Sequence, residues 1–304
     1  MNLSAVINQL IALFLMMLAG YIVARAGIMT PEFRKRLSSF TLNTAAPCII
    51  ISSVLESDSS PMTMISAAGI GVLFFLLMIL FAALLVRIVR SKPEESGLDQ
   101  MMLIFTNVGF MGIPVIQSVY GADGVARLSM FILIFNLCFF SYGVLLITKG
   151  SKFSLKRMVN ASIIAALIGL LFGVTGWHLP DAIETTLASI GAMNTPLAMM
   201  IIGASVAHSD LHAALTNPRL YRICLLSMAV MPLLMLLVML PLPIDRVLVG
   251  ISVLLAGMPI AGNCGMICDI YRPSDATASH AVLLSTLVSG VTLPLLCALI
   301  AVVL

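Results

Sequence analysis

The sequence predicts an all-α polytopic membrane protein with ten transmembrane helices, arranged as two inverted repeats of five helices. The first observation is composition. Of 304 residues, 61% are hydrophobic and only 10% are charged, whereas a soluble domain carries about 25% charged residues. A soluble globule leaves much of its surface in water and could not bury so much apolar area. Disordered chains are poor in apolar residues, so they are excluded as well. The small net charge of +3 argues against a nucleic-acid partner.

The second observation is where the few charges fall. Charged side chains are unfavourable in the hydrocarbon core of a bilayer, so they should mark the connections between helices. Ten stretches lie between them, each with roughly the 20 residues that a helix needs to cross a bilayer. We predict segments 1 to 10 at residues 4–24, 37–55, 62–86, 100–120, 126–148, 158–177, 183–207, 220–241, 247–270 and 277–302.

The third observation is the asymmetry of the basic residues. All of the 16 Lys and Arg residues except Arg127 and Arg246 lie in the odd-numbered connections between these segments. Cytoplasmic loops of membrane proteins carry an excess of Lys and Arg. The odd-numbered connections are therefore predicted to be cytoplasmic, with both chain termini outside. The expected location is the plasma membrane, which in a bacterium is the inner membrane.

The ten segments divide into two halves, residues 1–150 and 151–304, joined by a short basic connection. An odd number of helices in each half inverts the second half in the membrane, which is typical of inverted-repeat transporters. Weak internal similarity supports the repeat. Asn-Thr-Ala-Ala-Pro at residues 43–47 corresponds to Asn-Thr-Pro at 194–196. Gly-Ile-Pro at 112–114 corresponds to Gly-Met-Pro at 257–259.

Helix-breaking residues cluster in segments 4 and 9, at matching places in the two halves. Segment 4 reads Asn-Val-Gly-Phe-Met-Gly-Ile-Pro over residues 107–114, and segment 9 reads Gly-Met-Pro-Ile-Ala-Gly-Asn over 257–263. Proline removes a helix hydrogen bond, and glycine weakens a helix by about 1 kcal/mol. Unwound backbone at membrane depth is tolerated only inside protein or beside a wet cavity. Paired interruptions therefore point to a substrate site.

The predicted chemistry of this site is anion binding. Where a helix restarts after a break, its first turn presents unpaired N–H groups and about half a positive charge. Asn107 and Asn263 add amide donors, and neither segment contains Lys or Arg. The alternative is that each break only improves packing, as single Gly and Pro residues often do in membrane helices. Two matching breaks, each beside an Asn, favour a site. The candidate substrate-binding residues are Asn43, Asn107, Gly112, Pro114, Asn194, Pro259 and Asn263.

These motifs resemble the auxin efflux carrier family, which includes the plant PIN carriers and many bacterial organic-anion permeases. The strongest part is Asn107 to Pro114 followed by Tyr120-Gly121, which is similar to the family's Asn-Thr-Leu-Val-Met-Gly-Ile-Pro segment and its trailing Tyr-Gly. Further matches are Pro47, residues 196–204, residues 258–271, Leu284-Ser285-Thr286 and Thr292-Leu293-Pro294.

The resemblance implies a fold and a function. Helices 4 and 9 would cross at Pro114 and Pro259, and Asn107 would contact the carboxylate of a small organic anion. Asn160 would be a further substrate-associated residue. Helices 1, 2, 6 and 7 would form the scaffold of a homodimer, and helices 3–5 and 8–10 would form the transport core. The connection between the halves is about ten residues and segment 3 has no acidic residue. Both features differ from plant carriers and favour the short bacterial branch, assigned to malonate, malate and similar acids.

Energy coupling has few candidates in the sequence. The 13 acidic residues lie in connections or at segment ends, and only Asp269 and His208 are placed to act as a proton relay. Either also suits a segment end facing water, and a sodium site of carbonyl and hydroxyl oxygens stays open. The alternative functions are a sodium-coupled carrier of related fold and a transporter-like sensor. No catalytic pair or metal-binding motif lies within the segments, so we expect no enzyme activity, cofactor or metal.

Overall fold

The structure is a computed structural model that describes residues 3–57, 60–148, 161–177, 179–271 and 276–304. Within these ranges the chain is helical and contains no β-strand; one isolated antiparallel bridge pairs Thr106 with Ile260. The all-α prediction is therefore confirmed for the described part of the chain.

The helices follow the predicted apolar segments. The first part of the chain contains α1 Leu3–Arg25, α2 Pro31–Phe40, α3 Ala46–Glu56, α4 Pro61–Ile88, α5 Pro93–Ile104, α6 Ile113–Cys138 and α7 Val144–Thr148. The second part contains α8 Ala161–Thr175, α9 Asp181–Ala192, α10 Asn194–Ala207, α11 Leu211–Thr216, α12 Pro218–Leu225, α13 Met231–Met239, α14 Arg246–Ala256, α15 Gly262–Tyr271 and α16 Thr277–Val303.

Six helical runs in the described residues are long and apolar enough to cross a membrane. They are Pro31–Glu56, Pro61–Ile88, Val108–Thr148, Asp181–Ala207, Pro218–Met239 and Thr277–Val303. A polytopic membrane protein is therefore supported, while the full set of ten crossings stays a prediction. The longest run, 41 residues, is interrupted at Gly121 (φ 64°, ψ −155°). This backbone conformation is essentially restricted to glycine. The interruption falls just after residue 120, where segment 4 was predicted to end.

Short π-helical stretches interrupt the helices at positions set by proline. Four such stretches lie within the described residues, and three of them end two residues before a proline. These three are Thr41–Ala45, Val108–Gly112 and Leu226–Val230. The prolines are Pro47, Pro114 and Pro232. Proline has no N–H, and its ring clashes with the carbonyl four residues earlier. That carbonyl lies inside the π stretch each time, so the wider turn relieves the clash. The fourth stretch, Phe139–Gly143, has no such proline.

The chain forms two compact units, each made of three separate parts of the sequence. The first unit comprises Met1–Gly71, Gly109–Ile134 and Val159–His208. In it α1 packs along α10, where a β-carbon on Gly20 would collide with the backbone of Met200 and one on Gly203 with that of Met17. Small residues allow such close helix packing in membranes.

The second unit comprises Val72–Val108, Phe135–Met158 and Ser209–Leu304. Its interior includes an aromatic cluster in which Phe105 packs edge-to-face on Phe139, with ring centroids 5.0 Å apart, and on Phe135 at 5.7 Å. Gly143 lies against the Phe105 ring, since an added β-carbon would be 2.9 Å from that ring. This packing lies directly after the end of α5, where the chain becomes extended.

Candidate functional site: a crossing of two broken helices

Two interrupted helices meet inside the second unit through their backbones. After α5 ends at Ile104 the chain is extended, and it is also non-helical between α14 and α15. The N–H of Asn107 donates to the carbonyl of Pro259 at 2.8 Å, and the N–H of Ala261 donates to the carbonyl of Phe105 at 3.0 Å. We call residues 105–107 and 259–261 the crossover. Its pairing supplies partners for backbone groups that the helix breaks leave without intrahelical bonds.

Side chains of neighbouring helices hold the crossover. The hydroxyl of Thr106 donates to the carbonyl of Leu255 at 2.7 Å, across to the end of α14. The hydroxyl oxygen of Ser285, on α16, accepts from the N–H of Ile260 at 3.1 Å. Thr106, Ile260 and Ser285 are all buried, with at most 1% of each residue exposed. The backbone geometry of the crossover therefore depends on two buried hydroxyl groups.

The polar groups at the crossover belong to the starts of new helical stretches. Asn107 directly precedes the π stretch that begins at Val108, and Asn263 lies in the first turn of α15. Both asparagines are half-buried. The first turn of a helix has N–H groups without intrahelical partners and carries a partial positive charge. Residues 100–120 and 247–268 contain no charged side chain. These helix starts are therefore the positive elements of the crossover.

Comparison with known proteins gives the family of this arrangement. The membrane transport protein family matches the chain twice, at residues 5–155 and 147–297. The chain belongs to the membrane transport protein family. This is the family of the auxin efflux carriers, so the resemblance drawn from the sequence motifs is confirmed. Its members transport solutes, which agrees with the expectation that the protein is not an enzyme.

Two relatives are described as uncharacterized transporters. An uncharacterized transporter of Methanothermobacter thermautotrophicus is 24% identical over 296 residues, which cover 95% of this chain and 96% of the relative. An uncharacterized transporter of Methanocaldococcus jannaschii is 26% identical over 213 residues, 66% of this chain and 68% of the relative. The first alignment extends over both halves of this transporter.

The crossover contains two of the predicted substrate residues of this transporter, Asn107 and Pro259, and Asn263 follows it in the first turn of α15. Pro259 is paired with Asn107, whereas Gly112 and Pro114 belong to the first unit, at the end of the π stretch and at the start of α6. A crossing that involves Pro114 itself stays a prediction from the family resemblance.

The two asparagines of the internal repeat have different surroundings in the first unit. Asn43 lies in a π stretch, is exposed, and donates from Nδ2 to the carbonyl of Ser39 at 2.8 Å. Asn194 starts α10 and is 2% exposed, and its Nδ2 has no hydrogen-bond partner within the described residues. The adjacent Thr195 donates to Oε1 of Gln117 at 3.1 Å. A substrate role for either asparagine stays a prediction.

The remaining predicted residues are at helix ends or outside the described part. Asn160 lies outside the described residues. Asp269 belongs to the last turn of α15, and its side chain is not among the described atoms. His208 is an exposed residue at the end of α10, with Nδ1 2.9 Å from the carbonyl of Ala204. Its position matches the helix-end alternative considered for it, and coupling through His208 or Asp269 stays a prediction.

The sequence did not predict a group of ion pairs in the second unit. The guanidinium of Arg219 donates to Oδ1 of Asp99 from Nη2 at 2.6 Å and from Nε at 3.2 Å. Its Nη1 is 3.0 Å from Oε1 of Glu95. Asp99 is 2% exposed, although the predicted topology places it in a connection between segments. Segment 4 was predicted from residue 100, whereas α5 begins at Pro93, a residue typical of a first helical position.

Proposed function

We propose that the protein is a secondary transporter of small organic anions, mono- or dicarboxylates, which binds the anion at the crossover. The observation that carries this proposal is the antiparallel pairing of the two interrupted helices, with Asn107 and Asn263 at the starts of the helical stretches that follow. A carboxylate placed there would accept hydrogen bonds from amide side chains and first-turn N–H groups. Each helix start favours a nearby anion by about 0.3–1 kcal/mol when exposed, and by up to about 2 kcal/mol when partly buried.

The absence of charged side chains at the crossover suits a carrier that must release its substrate. A buried Arg would bind a carboxylate through two strong hydrogen bonds. Such a group would also have to stay paired when the site is empty, because an unpaired buried charge is very unfavourable. Amide and backbone donors bind more weakly, and they can bond to water when the anion leaves. The crossover therefore fits reversible binding of an anion.

We further propose that ten helices cross the membrane as two inverted repeats and that transport occurs by alternating access. The two family matches support the repeat, because each covers about half of the chain. In this proposal helices 1, 2, 6 and 7 form the scaffold of a homodimer in the plasma membrane, and helices 3–5 and 8–10 carry the anion. Segments 1, 2, 6 and 7 lie almost wholly in the first compact unit, which also takes in Gly109–Ile134 from segments 4 and 5.

Uptake by proteoliposomes tests the proposed function. Purified protein is reconstituted, and counterflow of a panel of radiolabelled mono- and dicarboxylates is measured with and without proton and sodium gradients. We expect counterflow of at least one small carboxylate. We also expect that Asn107→Ala and Asn263→Ala each lower it by about tenfold or more, because each removes an amide donor from a weakly solvated site.

The matched control is Asn8→Ala, which changes an exposed asparagine of α1. It should transport like the unchanged protein, and all variants should elute as the same folded species. Full transport by both crossover variants would show that the anion binds elsewhere. Strict dependence on sodium would instead favour the sodium-coupled carrier, and a panel without any transported carboxylate would contradict the proposed substrate class.

A further inference from the structure

A polar cavity of about 560 Å³ lies in the second unit, away from the crossover residues. Its lining residues are Lys92, Glu95, Asn217, Pro218, Arg219, Arg222 and Thr277. Three helices begin at this cavity: Lys92 is the N-cap of α5, Asn217 is the N-cap of α12, and Thr277 is the first residue of α16. Three helix starts, each of which carries a partial positive charge, therefore lie at this cavity together with three basic side chains.

The three basic side chains of the cavity outnumber the two carboxylates around them, which leaves a net charge of +1. Arg219 is held by Oδ1 of Asp99 and Oε1 of Glu95, and Oδ2 of Asp99 has no hydrogen-bond partner within the described residues. Lys92 and Arg222 form no ion pair within the described residues. Nε of Arg222 is shielded from solvent and has no hydrogen-bond partner among the described residues. A shielded guanidinium nitrogen without an acceptor is unfavourable, and a bound anion would supply the missing acceptor.

We propose that this cavity binds a phosphate group, carried by an anionic lipid headgroup or by a soluble phosphorylated solute. A phosphate group has several acceptor oxygens and carries at least one negative charge. It can therefore accept hydrogen bonds from an arginine guanidinium, a lysine ammonium and helix N–H groups at the same time. A cavity of about 560 Å³ is within the size range of small-molecule sites and has room for a headgroup or a small phosphorylated solute. Basic pockets at the cytoplasmic ends of membrane helices are typical sites for anionic headgroups.

Binding here would act on the crossover through α5. Lys92 and Glu95 lie at the start of that helix, and its other end leads directly to Phe105 of the crossover. A phosphate held by Lys92 and Arg222 would join the starts of α5 and α12. Binding at this cavity does not depend on which solute the crossover takes, so the two proposals can fail separately.

The experiment measures binding to the purified full chain. In one arm, native mass spectrometry counts phosphatidylglycerol or phosphatidylcholine molecules retained from mixed micelles. In the other arm, the thermal unfolding midpoint is followed as inorganic phosphate or glycerol 3-phosphate is added at constant ionic strength. Retention of phosphatidylglycerol over phosphatidylcholine identifies a lipid site, and a saturable midpoint shift in lipid-free detergent identifies a solute site.

The variants are Lys92→Gln and Arg222→Gln, with Arg87→Gln as the matched control because Arg87 is an exposed basic residue of the same unit that does not line the cavity. Each cavity variant should weaken the observed binding by about tenfold, and the control should not. Neither replaced side chain has a partner within the described residues, so ligand-free midpoints should stay unchanged. The proposal is overturned if neither arm detects binding, or if Arg87→Gln weakens it as much as the cavity variants do.

Discussion

Ser285 holds a backbone group at the point where segment 9 is broken. Its hydroxyl oxygen accepts from the N–H of Ile260, and the hydroxyl also donates to the carbonyl of Val282 on its own helix. Ser252 is a buried serine of the neighbouring helix α14, but it donates only to the carbonyl of Leu248 within that helix. A comparison of the two serines therefore distinguishes a hydroxyl that supports the crossover from a buried hydroxyl that does not.

Ser285→Ala should lower the free energy of unfolding by about 1–3 kcal/mol, because it leaves the buried N–H of Ile260 without its acceptor. Ser252→Ala should change it by less than about 1 kcal/mol, since the Leu248 carbonyl keeps its backbone partner. Unfolding in mixed micelles gives both values, and counterflow should fall only in the Ser285 variant. Equal effects of the two substitutions would mean that Ser285 is an ordinary packing residue.

Sequence reasoning at the residue scale located the asparagines but not their supports. Asn107 and Asn263 stand out because amide side chains are rare beside Gly and Pro breaks in apolar segments. Ser285 and Thr106 do not stand out, because a serine or threonine in a membrane helix usually bonds to its own backbone. Whether it bonds to another segment depends on packing over a long sequence separation. Arg219 and Asp99 are likewise 120 positions apart.

At the scale of elements, hydrophobic length and proline positions predict most of what the structure shows. The breaks in segments 4 and 9 were expected from Gly and Pro, and the structure contains both. The π stretches before Pro47, Pro114 and Pro232 were not expected, because an uninterrupted helix and a helix with one wide turn have the same apolar pattern. The start of α5 was placed late because its first turn carries Glu94 and Glu95, and charged residues were taken to mark the connections between segments.

Gly121 separates two helical stretches that would otherwise be continuous. With φ at 64° and ψ at −155°, its backbone lies where a residue with a β-carbon is strained by about 1–3 kcal/mol. We expect Gly121→Ala to lower the free energy of unfolding by about that amount. Gly69 is the matched control: it lies within α4, and an added β-carbon would meet nothing within 4 Å.

The comparison of these two glycines separates strain from crowding, because a β-carbon on Gly121 also meets nothing within 4 Å. Gly69→Ala should be neutral or stabilise by up to about 1 kcal/mol, as alanine favours the helix. Thermal unfolding of both variants in the same detergent measures the difference. If Gly121→Ala were as stable as Gly69→Ala, the sharp turn after Tyr120 would not need its positive φ.

At the scale of the whole molecule, sequence order and spatial grouping differ. The predicted halves, residues 1–150 and 151–304, divide the chain at one point, whereas each compact unit draws on three parts of it. Sequence similarity between the two halves indicates a repeat along the chain, whereas contacts in the structure show which helices pack together. No periodicity or composition shows which of the ten predicted apolar segments are neighbours, since lipid and protein interiors favour the same side chains. The grouping therefore required the structure.

The distribution of basic residues is the whole-molecule feature on which the predicted orientation rests, and the structure adds two observations to it. Lys92, Arg219 and Arg222 come from two different odd-numbered connections and line one cavity, so those connections lie at the same end of the second unit. Arg127, one of the two exceptions, forms a 2.8 Å ion pair with Asp123, which offsets its charge. The orientation itself stays a prediction from the distribution of Lys and Arg.

Cysteine labelling in cells tests that orientation. Thr30 and Ser60 are both exposed residues at helix starts, in the first and second connections respectively. With both termini outside, a membrane-impermeant maleimide should label Ser60→Cys in intact cells and label Thr30→Cys only after the membrane is opened. The unchanged chain is the control, because its cysteines are buried or half-buried. Labelling of Thr30→Cys in intact cells, with Ser60→Cys protected, would reverse the orientation and place the phosphate cavity on the outer side.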